Sequence, residues 1–193
     1  MKAAEINNNP IAREWKERYS KLSEEKKKKI DELDNMMIHE YQLKVIKRSR
    51  TYPEIGDIFK INPKDDIFYY GIVINNHINN RNGDDLILIL IFNNDEDIFS
   101  KLERKILQKD LLLKPCIVGK EYWTRGYFFN SGHEDKQISI DSYGFYGLFD
   151  GLYYNEYDLK LDNVPKIVSM GSVYTISGIA YEMNQEIIIR ENE

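Results

Sequence analysis

The sequence predicts an α+β protein, namely a strongly curved antiparallel sheet or small open barrel with an N-terminal two-helix arm and a C-terminal helix. Three observations lead to this fold class. Apolar residues recur at spacings of three and four along residues 1–50, which is helical periodicity. From residue 56 the pattern changes to short β-branched and aromatic runs separated by Asn, Gly and Pro, which is typical of strands and turns. Helical spacing returns after residue 175.

Two helices are predicted in the first fifty residues. Asn9 can cap the first helix through its side chain. Pro10 follows at the first helical position, where a missing N–H has no cost. Ser23 can cap the second, which is expected to end by Arg50, ahead of Pro53. The predicted apolar stripes are Ile11, Trp15, Tyr19 and Leu22 in the first helix and Ile30, Leu33, Met37, Tyr41 and Val45 in the second.

This helical arm, residues 1–52, has two alternative arrangements. It can pack on the remaining domain, residues 53–193, or it can dimerise through Trp15, Tyr19 and the second stripe. Packing is the default, because one amphipathic face needs only one partner surface. Deletion of residues 1–50 is then expected to lower the melting temperature, and the protein is expected to be a monomer or a homodimer.

Strands are predicted for much of the remaining chain. Residues 86–92 are almost continuously apolar, which indicates a strand buried on both faces. Gly71 lies within a strand pattern and indicates a bulge or a close approach of another segment. Residues 75–85, rich in Asn and Gly, are expected to form a loop. The predicted strands are residues 57–61, 68–74, 86–92, 122–129 and 137–140, a short helix is predicted at 100–107, and a helix capped by Thr175 has the stripe Ile176, Ile179, Ala180, Met183 and Ile187.

Composition is that of a globular protein in a reducing compartment. Hydrophobic residues make up 42% of the chain and charged residues 31%. No apolar stretch approaches the roughly 18 residues that can span a bilayer, and residues 1–10 lack the apolar core of a signal peptide. Cys116 is the only cysteine, so no internal disulfide can form. We therefore expect a cytoplasmic protein without a membrane partner.

Charge is distributed unevenly along the chain. Residues 1–50 contain 13 Lys/Arg and 9 Asp/Glu, whereas the remainder contains 14 and 23. A phosphate backbone is repelled by an acidic face, so this pattern argues against a nucleic-acid partner for the main domain. An acidic main domain is better suited to a basic protein partner.

The sequence contains no recognisable catalytic, cofactor-binding or metal-binding pattern. His39, His77 and His133 do not lie at metal-ligand spacing from one another or from Cys116. His133 begins the run His-Glu-Asp, which is interpreted as a solvated turn rather than a metal or catalytic site. Phosphate-loop, dinucleotide-binding and nucleophile-elbow motifs are absent. We therefore predict a binding protein, not an enzyme, with no cofactor.

Acidic loops and aromatic segments are the candidate contacts to a partner. The acidic pairs either increase solubility or form an acidic binding surface, and the Trp-Thr-Arg run at 123–125 is either a core strand or an interface. Residues 143–157 contain seven aromatic side chains, more than a short loop usually buries, so some are expected to be exposed. The candidate partner-binding residues are Asp65, Asp66, Asp84, Asp85, Asp95, Glu96, Asp97, Trp123, Arg125, Tyr146, Tyr153 and Tyr154.

Several short motifs resemble those of the immunity protein 26 family of bacterial polymorphic toxin systems. GDIFKI at residues 56–61 and YYGIV at 69–73 are similar to the family's first two strands, although FYYG at 68–71 departs slightly from its pattern. WTRGYF at 123–128 and the segment from Pro165 through Gly171 to Tyr174 are also similar, so the resemblance spans roughly residues 54–190. It implies a protein that protects the producing cell by binding a cognate toxin domain, often a nuclease, and it brings no catalytic residues.

Two other functions remain open from the sequence. Small-barrel endoribonucleases of the MazF type also begin with a Gly-Asp-apolar strand, but Gly71-Ile72-Val73 stands where their Arg-Pro pair would fall, and the domain here is acidic. A mobile-element protein that binds another host factor is the second alternative.

Overall fold

A five-stranded antiparallel sheet forms the centre of the computed structural model, which describes residues 9–36, 40, 42–64, 66–94 and 96–191. The register shifts in all four strand pairings, and such irregularities bend a sheet. The two outer strands do not pair with each other, so the sheet is open, and the predicted α+β class is confirmed. In the spatial order β4-β3-β2-β1-β5, the strands are β1 (Asp57–Lys64), β2 (Ile67–Asn80), β3 (Gly83–Phe92), β4 (Leu111–Val118) and β5 (Phe128–His133).

A second, three-stranded sheet and five helices complete the described fold. The small sheet has the order β7-β6-β8, in which β6 (Tyr143–Tyr146) is antiparallel to β7 (Tyr153–Tyr154) and parallel to β8 (Ile167–Met170). The helices are α1 (Pro10–Ser20), α2 (Glu24–Asp34), α3 (Ile98–Leu102), α4 (Glu121–Thr124) and α5 (Ile176–Arg190), and a 3₁₀ turn lies at Gln108–Asp110.

The large sheet is buried on both of its faces. Phe59 and Val73 belong to the apolar cluster that contains Met183 of α5. Their sequence neighbours Ile58 and Ile72 belong to a second cluster on the other face. All residues from 86 to 92 are buried, which confirms the prediction of a strand covered on both sides.

The predicted beginnings of the arm helices are confirmed, but the predicted end of the second is wrong. Asn9 accepts hydrogen bonds from the backbone N–H groups of residues 11 and 12, and Ser23 accepts one from residue 26. Helix α2 ends at Asp34, and Val45 lies outside any helix or strand. The N–H groups of residues 44 and 46 donate to Asn62 and Gly126 rather than to a preceding helical turn. Met37 and Tyr41 of the predicted stripe lie outside the described residues.

Contacts between the arm and α5 are apolar and ionic. Arg18 of α1 forms two hydrogen bonds of 2.8 Å with the Glu186 carboxylate. Ile30 and Leu33 of α2 are buried, and α2 packs against α5. Leu43, beyond α2, belongs to the same core cluster as Phe59.

The predicted loop at residues 75–85 is wrong, because β2 and β3 continue through it to a short hairpin turn. Asn80 pairs with Gly83, and the Asn80 side chain accepts a hydrogen bond from the N–H of Asn82, which closes the turn. Asn side chains therefore stabilise a tight turn here, where their abundance suggested a long loop.

Other predicted elements differ from the observed ones because their local composition is also typical of another secondary structure. The predicted strand at 122–129 begins instead as α4, and Gly126, with φ of +89°, ends that helix before β5 starts. The predicted strand at 137–140 contributes only one bridge, between Ile106 and Ile140. Strand β4 was not predicted because Pro115 interrupts its pattern, and proline is tolerated there because β4 is an edge strand. The helix predicted at 100–107 forms at Ile98–Leu102.

Candidate partner-binding surface

One end of the molecule contains a large share of the exposed apolar side chains. It comprises the tip of the β2–β3 hairpin (residues 80–85) and residues 147–159, and we call it the aromatic end. Thirteen large hydrophobic residues are exposed in the described part of the chain, and five of them lie at this end. Such a concentration on a folded protein is typical of an interaction site. The five are Leu148, Phe149, Leu152, Tyr157 and Leu159.

The loop that presents Leu148 and Phe149 is closed by its own hydrogen bonds. The N–H of Gly147 donates to the Leu152 carbonyl at 2.8 Å, and the N–H of Gly151 donates to the Gly147 carbonyl at 2.9 Å. The Asp150 carboxylate accepts from the N–H of Leu152 at 3.1 Å and from the Tyr154 hydroxyl. The Tyr154 hydrogen bond lowers the pKa of Asp150 below its usual value, so this carboxylate stays charged.

Polar contacts join this loop region to the β2–β3 hairpin. The Arg81 side chain donates to Asp158 at 2.9 Å, and its guanidinium lies 4.8 Å from the centre of the Tyr154 ring. The Asp158 hydrogen bond raises the pKa of Arg81. Asn82 donates to the carbonyl of Gly171 at 2.8 Å. The two parts of the aromatic end are therefore held together by several independent contacts.

A groove of about 180 Å³ lies between the hairpin tip and the exposed loop. Its lining combines apolar side chains with charged groups at the margin. The size is smaller than that of a typical small-molecule site of roughly 300–1,000 Å³ and suits a single side chain better. Its walls include Arg81, Phe145, Tyr146, Leu148, Phe149 and Asp158.

The aromatic end is acidic. Residues 80–85 and 147–159 contain five Asp/Glu and one Lys/Arg. Arg81 is paired with Asp158, and Glu156 is buried and accepts from Asn75. Asp84 is exposed and makes no ion pair with any described residue. The uncompensated negative charge favours a partner with a positive surface.

The predicted acidic residues are divided between two ends of the sheet. Asp84 and Asp85 lie at the aromatic end, where Asp85 is partly buried and its carboxylate lies 2.6 Å from Nδ1 of His77. Asp66, Glu96 and Asp97 lie at the other end of strands β2 and β3, because the strands are antiparallel. Asp97 caps α3 and Glu96 pairs with an arginine, so both have structural partners. Asp65 and Asp95 lie outside the described residues.

Among the predicted aromatic contacts, the structure places three near one another and two elsewhere. Tyr146, Tyr153 and Tyr154 lie beside the exposed loop, although Tyr146 is buried. Trp123 is 1% exposed and its indole N–H donates to the Asn130 side chain, so it cannot contact a partner from this position. Arg125 is exposed at the end of α4, away from this surface.

Sequence reasoning missed Leu148 and Arg81, and it did not single out Phe149 within the aromatic stretch. A local signal was available, because Gly147 and Gly151 flank a Leu-Phe-Asp run, and glycines on both sides of an apolar pair indicate a turn with an apolar tip. The role of Arg81 depends on its contact with Asp158, 77 positions later, which the sequence does not reveal.

A separate polar network explains the Gly-Asp motif at the start of β1. The Asp57 carboxylate accepts from the Asn130 side chain at 2.6 Å and from the N–H of Glu54 at 2.9 Å. It also lies 3.0 Å from Nδ1 of His133 and raises the pKa of that imidazole. Gly56 has a φ of +95° and leaves no room for a side chain beside the Glu134 carbonyl. The motif is thus structural, and no cluster of three or more metal-ligating side chains occurs among the described residues.

These features define an α+β protein with an open, two-sided sheet and an acidic end that exposes aromatic and aliphatic side chains. The model of one family, Immunity protein 26, matches residues 54–156, just over half of the chain. The chain belongs to this family, as its motifs in β1, β2 and α4–β5 indicated. The match includes the hairpin tip and the loop at 147–152, whereas the segment from Pro165 to Tyr174 lies beyond it.

Comparison with curated proteins and with solved structures gives no significant match. In the described residues, no helix has the length and apolarity needed to cross a bilayer.

Proposed function

We propose that this immunity protein binds a cognate toxin domain directly and neutralises it by occupying its surface, without catalysing a reaction. Membership of the immunity protein 26 family supports a role in toxin protection. The observation that carries the proposal is the group of five exposed apolar side chains at the acidic aromatic end. Burial of such side chains against a partner is favourable by roughly 25 cal/mol per Å² of apolar area.

The charge of the domain supports a basic toxin, such as a nuclease. A nuclease presents positive side chains to its phosphate substrate, and an acidic protein surface can compete for the same side chains. Electrostatic attraction also accelerates capture, which matters when a toxin must be bound before it acts. The proposed partner is therefore a protein and not a nucleic acid, and the proposed place of action is the cytoplasm.

Co-expression with the cognate toxin domain tests the proposal. We expect growth to be restored when both are expressed, and we expect a stable complex of the purified proteins in size-exclusion chromatography with light scattering. The same measurement establishes whether the protein binds as a monomer or a homodimer. Continued toxicity together with separate elution of the two proteins would refute the proposal.

A ribonuclease assay separates the proposal from an enzymatic role. Purified protein incubated with single-stranded RNA is expected to leave the RNA intact at concentrations that inhibit the toxin. RNA cleavage that follows the protein through purification would favour the endoribonuclease alternative.

A further inference from the structure

We propose that Phe149 and Leu148 form an apolar plug that enters a pocket of the toxin domain, and that Lys or Arg side chains surround the mouth of this pocket. The inference rests on the proposed function and adds the contact residues and the chemistry of the partner surface. Three properties of the loop at 147–152 carry it, namely exposure, fixed conformation and surrounding charge.

The first property is the degree of exposure. Phe149 is 103% exposed and Leu148 is 47% exposed, and both occupy the apex of one short loop. A phenyl ring in full contact with water gains more from burial at an interface than one already half-covered. Aromatic side chains that fill a partner's pocket commonly dominate the binding energy of an interface.

The second property is the fixed conformation of the loop. Two backbone hydrogen bonds close it at Gly147, Gly151 and Leu152, and the Asp150 carboxylate fixes it from within. A side chain added at Gly147 would lie 2.5 Å from that carboxylate, so the loop is tightly closed around it. A loop already held in one conformation loses little conformational entropy when a partner binds, which favours tight association.

The third property is the charge that surrounds the apolar tip. Asp150 follows Phe149 directly and is kept ionised by the Tyr154 hydroxyl. Asp84, on the hairpin tip that shares the groove with this loop, is also exposed. An apolar tip with a negative surround is complementary to an apolar pocket with a positive rim, whereas an acidic rim would repel it.

The opposite end of the sheet provides an internal comparison. Phe99 is 55% exposed and follows Asp97, so it also combines an apolar ring with nearby acidic residues. There, however, Glu96 is paired with Arg104 and Asp97 is used as a helix cap. The negative charge at that end is therefore partly compensated, and Phe99 serves as the control for Phe149.

Photo-crosslinking tests which end meets the toxin. The photoreactive residue p-benzoylphenylalanine replaces Phe149 in one variant and Phe99 in another, and each variant is irradiated with the purified cognate toxin domain. We expect a crosslinked product only from position 149, with peptide mass spectrometry locating apolar residues of the toxin that have Lys or Arg nearby. Crosslinking from position 99 alone, or attachment to an acidic patch, would overturn the inference.

Affinity measurements give a second, independent readout. Phe149→Ala is expected to raise the dissociation constant by roughly 30-fold or more, as loss of a dominant interface side chain does. Phe99→Ala is expected to change it by less than about threefold. Both side chains are exposed, so thermal melts of both variants should match the wild type.

The outcomes distinguish this inference from the proposed function. If the wild-type protein binds and protects but Phe149→Ala binds equally well, the plug is wrong and the immunity role stands. If the wild-type protein neither binds nor protects, both proposals fail.

Discussion

At the scale of single residues, Gly71 and Gly132 differ in the space available for a side chain. A Cβ on Gly71 would lie 2.4 Å from the Phe59 ring and 2.5 Å from the Leu90 carbonyl, whereas one on Gly132 would meet only Ile58, at 3.8 Å. We therefore expect Gly71→Ala to destabilise the protein by about 1–3 kcal/mol through overpacking. Gly132→Ala, the control, should change stability by less than about 0.5 kcal/mol. Urea denaturation of both variants measures this, and equal midpoints would contradict the prediction.

Glu182 on α5 makes stability depend on pH. Burial is the main cause that raises its pKa to about 7, and the Glu186 carboxylate raises it further, although Tyr174 and Lys114 oppose the shift. Because the folded-state pKa exceeds the ordinary value of 4.5, the folded protein holds this proton more tightly than the unfolded chain does. The associated stability is fully present below pH 4.5 and is lost as the pH rises towards 7.

Glu182→Gln keeps a neutral side chain at every pH and therefore tests this coupling. At pH 8 the variant should be more stable than the wild type by on the order of 2 kcal/mol, and the difference should vanish near pH 4. Glu191→Gln should instead lower the stability at pH 8, because Lys29 stabilises the charged form of Glu191 and lowers its pKa. Thermal melts of the wild type and both variants at pH 4 and pH 8 measure these differences in stability. A difference that does not change with pH would show that Glu182 is not buried in its charged form.

At the scale of elements, local signals predicted the starts of the three longest helices but only a few of the strand boundaries. The caps at Asn9, Ser23 and Thr175 act within a few residues of themselves, so the sequence is sufficient to predict them. The course of residues 42–50 depends on hydrogen bonds to distant carbonyls, such as that of Gly126. Strand β4 is recognisable only from its pairing with β3.

The same distinction applies to the candidate surface. The aromatic excess in residues 143–157 was visible in the sequence, but which rings are exposed depends on pairing. Strand β6 lies beside β8, which helps to bury Phe145 and Tyr146. Phe149 falls three residues beyond β6, in the loop, and is left in solvent. The composition therefore indicated which segment contains the surface, whereas tertiary packing determines which of its side chains are exposed.

Helix α2 provides a test of how the arm contributes to the fold. Leu33 is 4% exposed on α2, which packs against α5, whereas Met36, just beyond the helix, is 45% exposed. Leu33→Ala should cost about 3 kcal/mol, because it leaves a cavity, and should lower the melting temperature by roughly 6–12 °C. Met36→Ala should have little effect. An unchanged melting temperature for Leu33→Ala, together with loss of a dimer, would indicate that the arm acts between molecules instead.

At the scale of the whole molecule, charge separates the arm from the domain that bears the aromatic end. The net charge of −5 results from a basic first quarter and an acidic remainder. Arm lysines are paired with acidic residues, for example Lys29 with Glu25 of α2 and with Glu191, which follows α5 directly. Asp84, by contrast, has no ion-pair partner among the described residues. The long-range field at the aromatic end is therefore negative and can act on an approaching partner.

Association kinetics should reveal this field. We expect the association rate constant with the toxin domain to fall by roughly tenfold or more between 50 and 500 mM NaCl, because salt screens charges separated by more than a Debye length. The dissociation rate constant, governed by the buried apolar contact, should change much less. Asp84→Asn should lower the association rate constant at low salt and have no effect at high salt.

Asp66 provides the matched control, because it is an exposed aspartate at the opposite end with a φ of +59°, a conformation that asparagine also adopts. Asp66→Asn removes the same charge from the molecule but not from the aromatic end, so stopped-flow association rates should stay at the wild-type value. An equal loss for both variants would mean that net charge, rather than its position, controls capture. No loss for either, with an unchanged salt response, would leave the apolar plug as the sole determinant of the association rate.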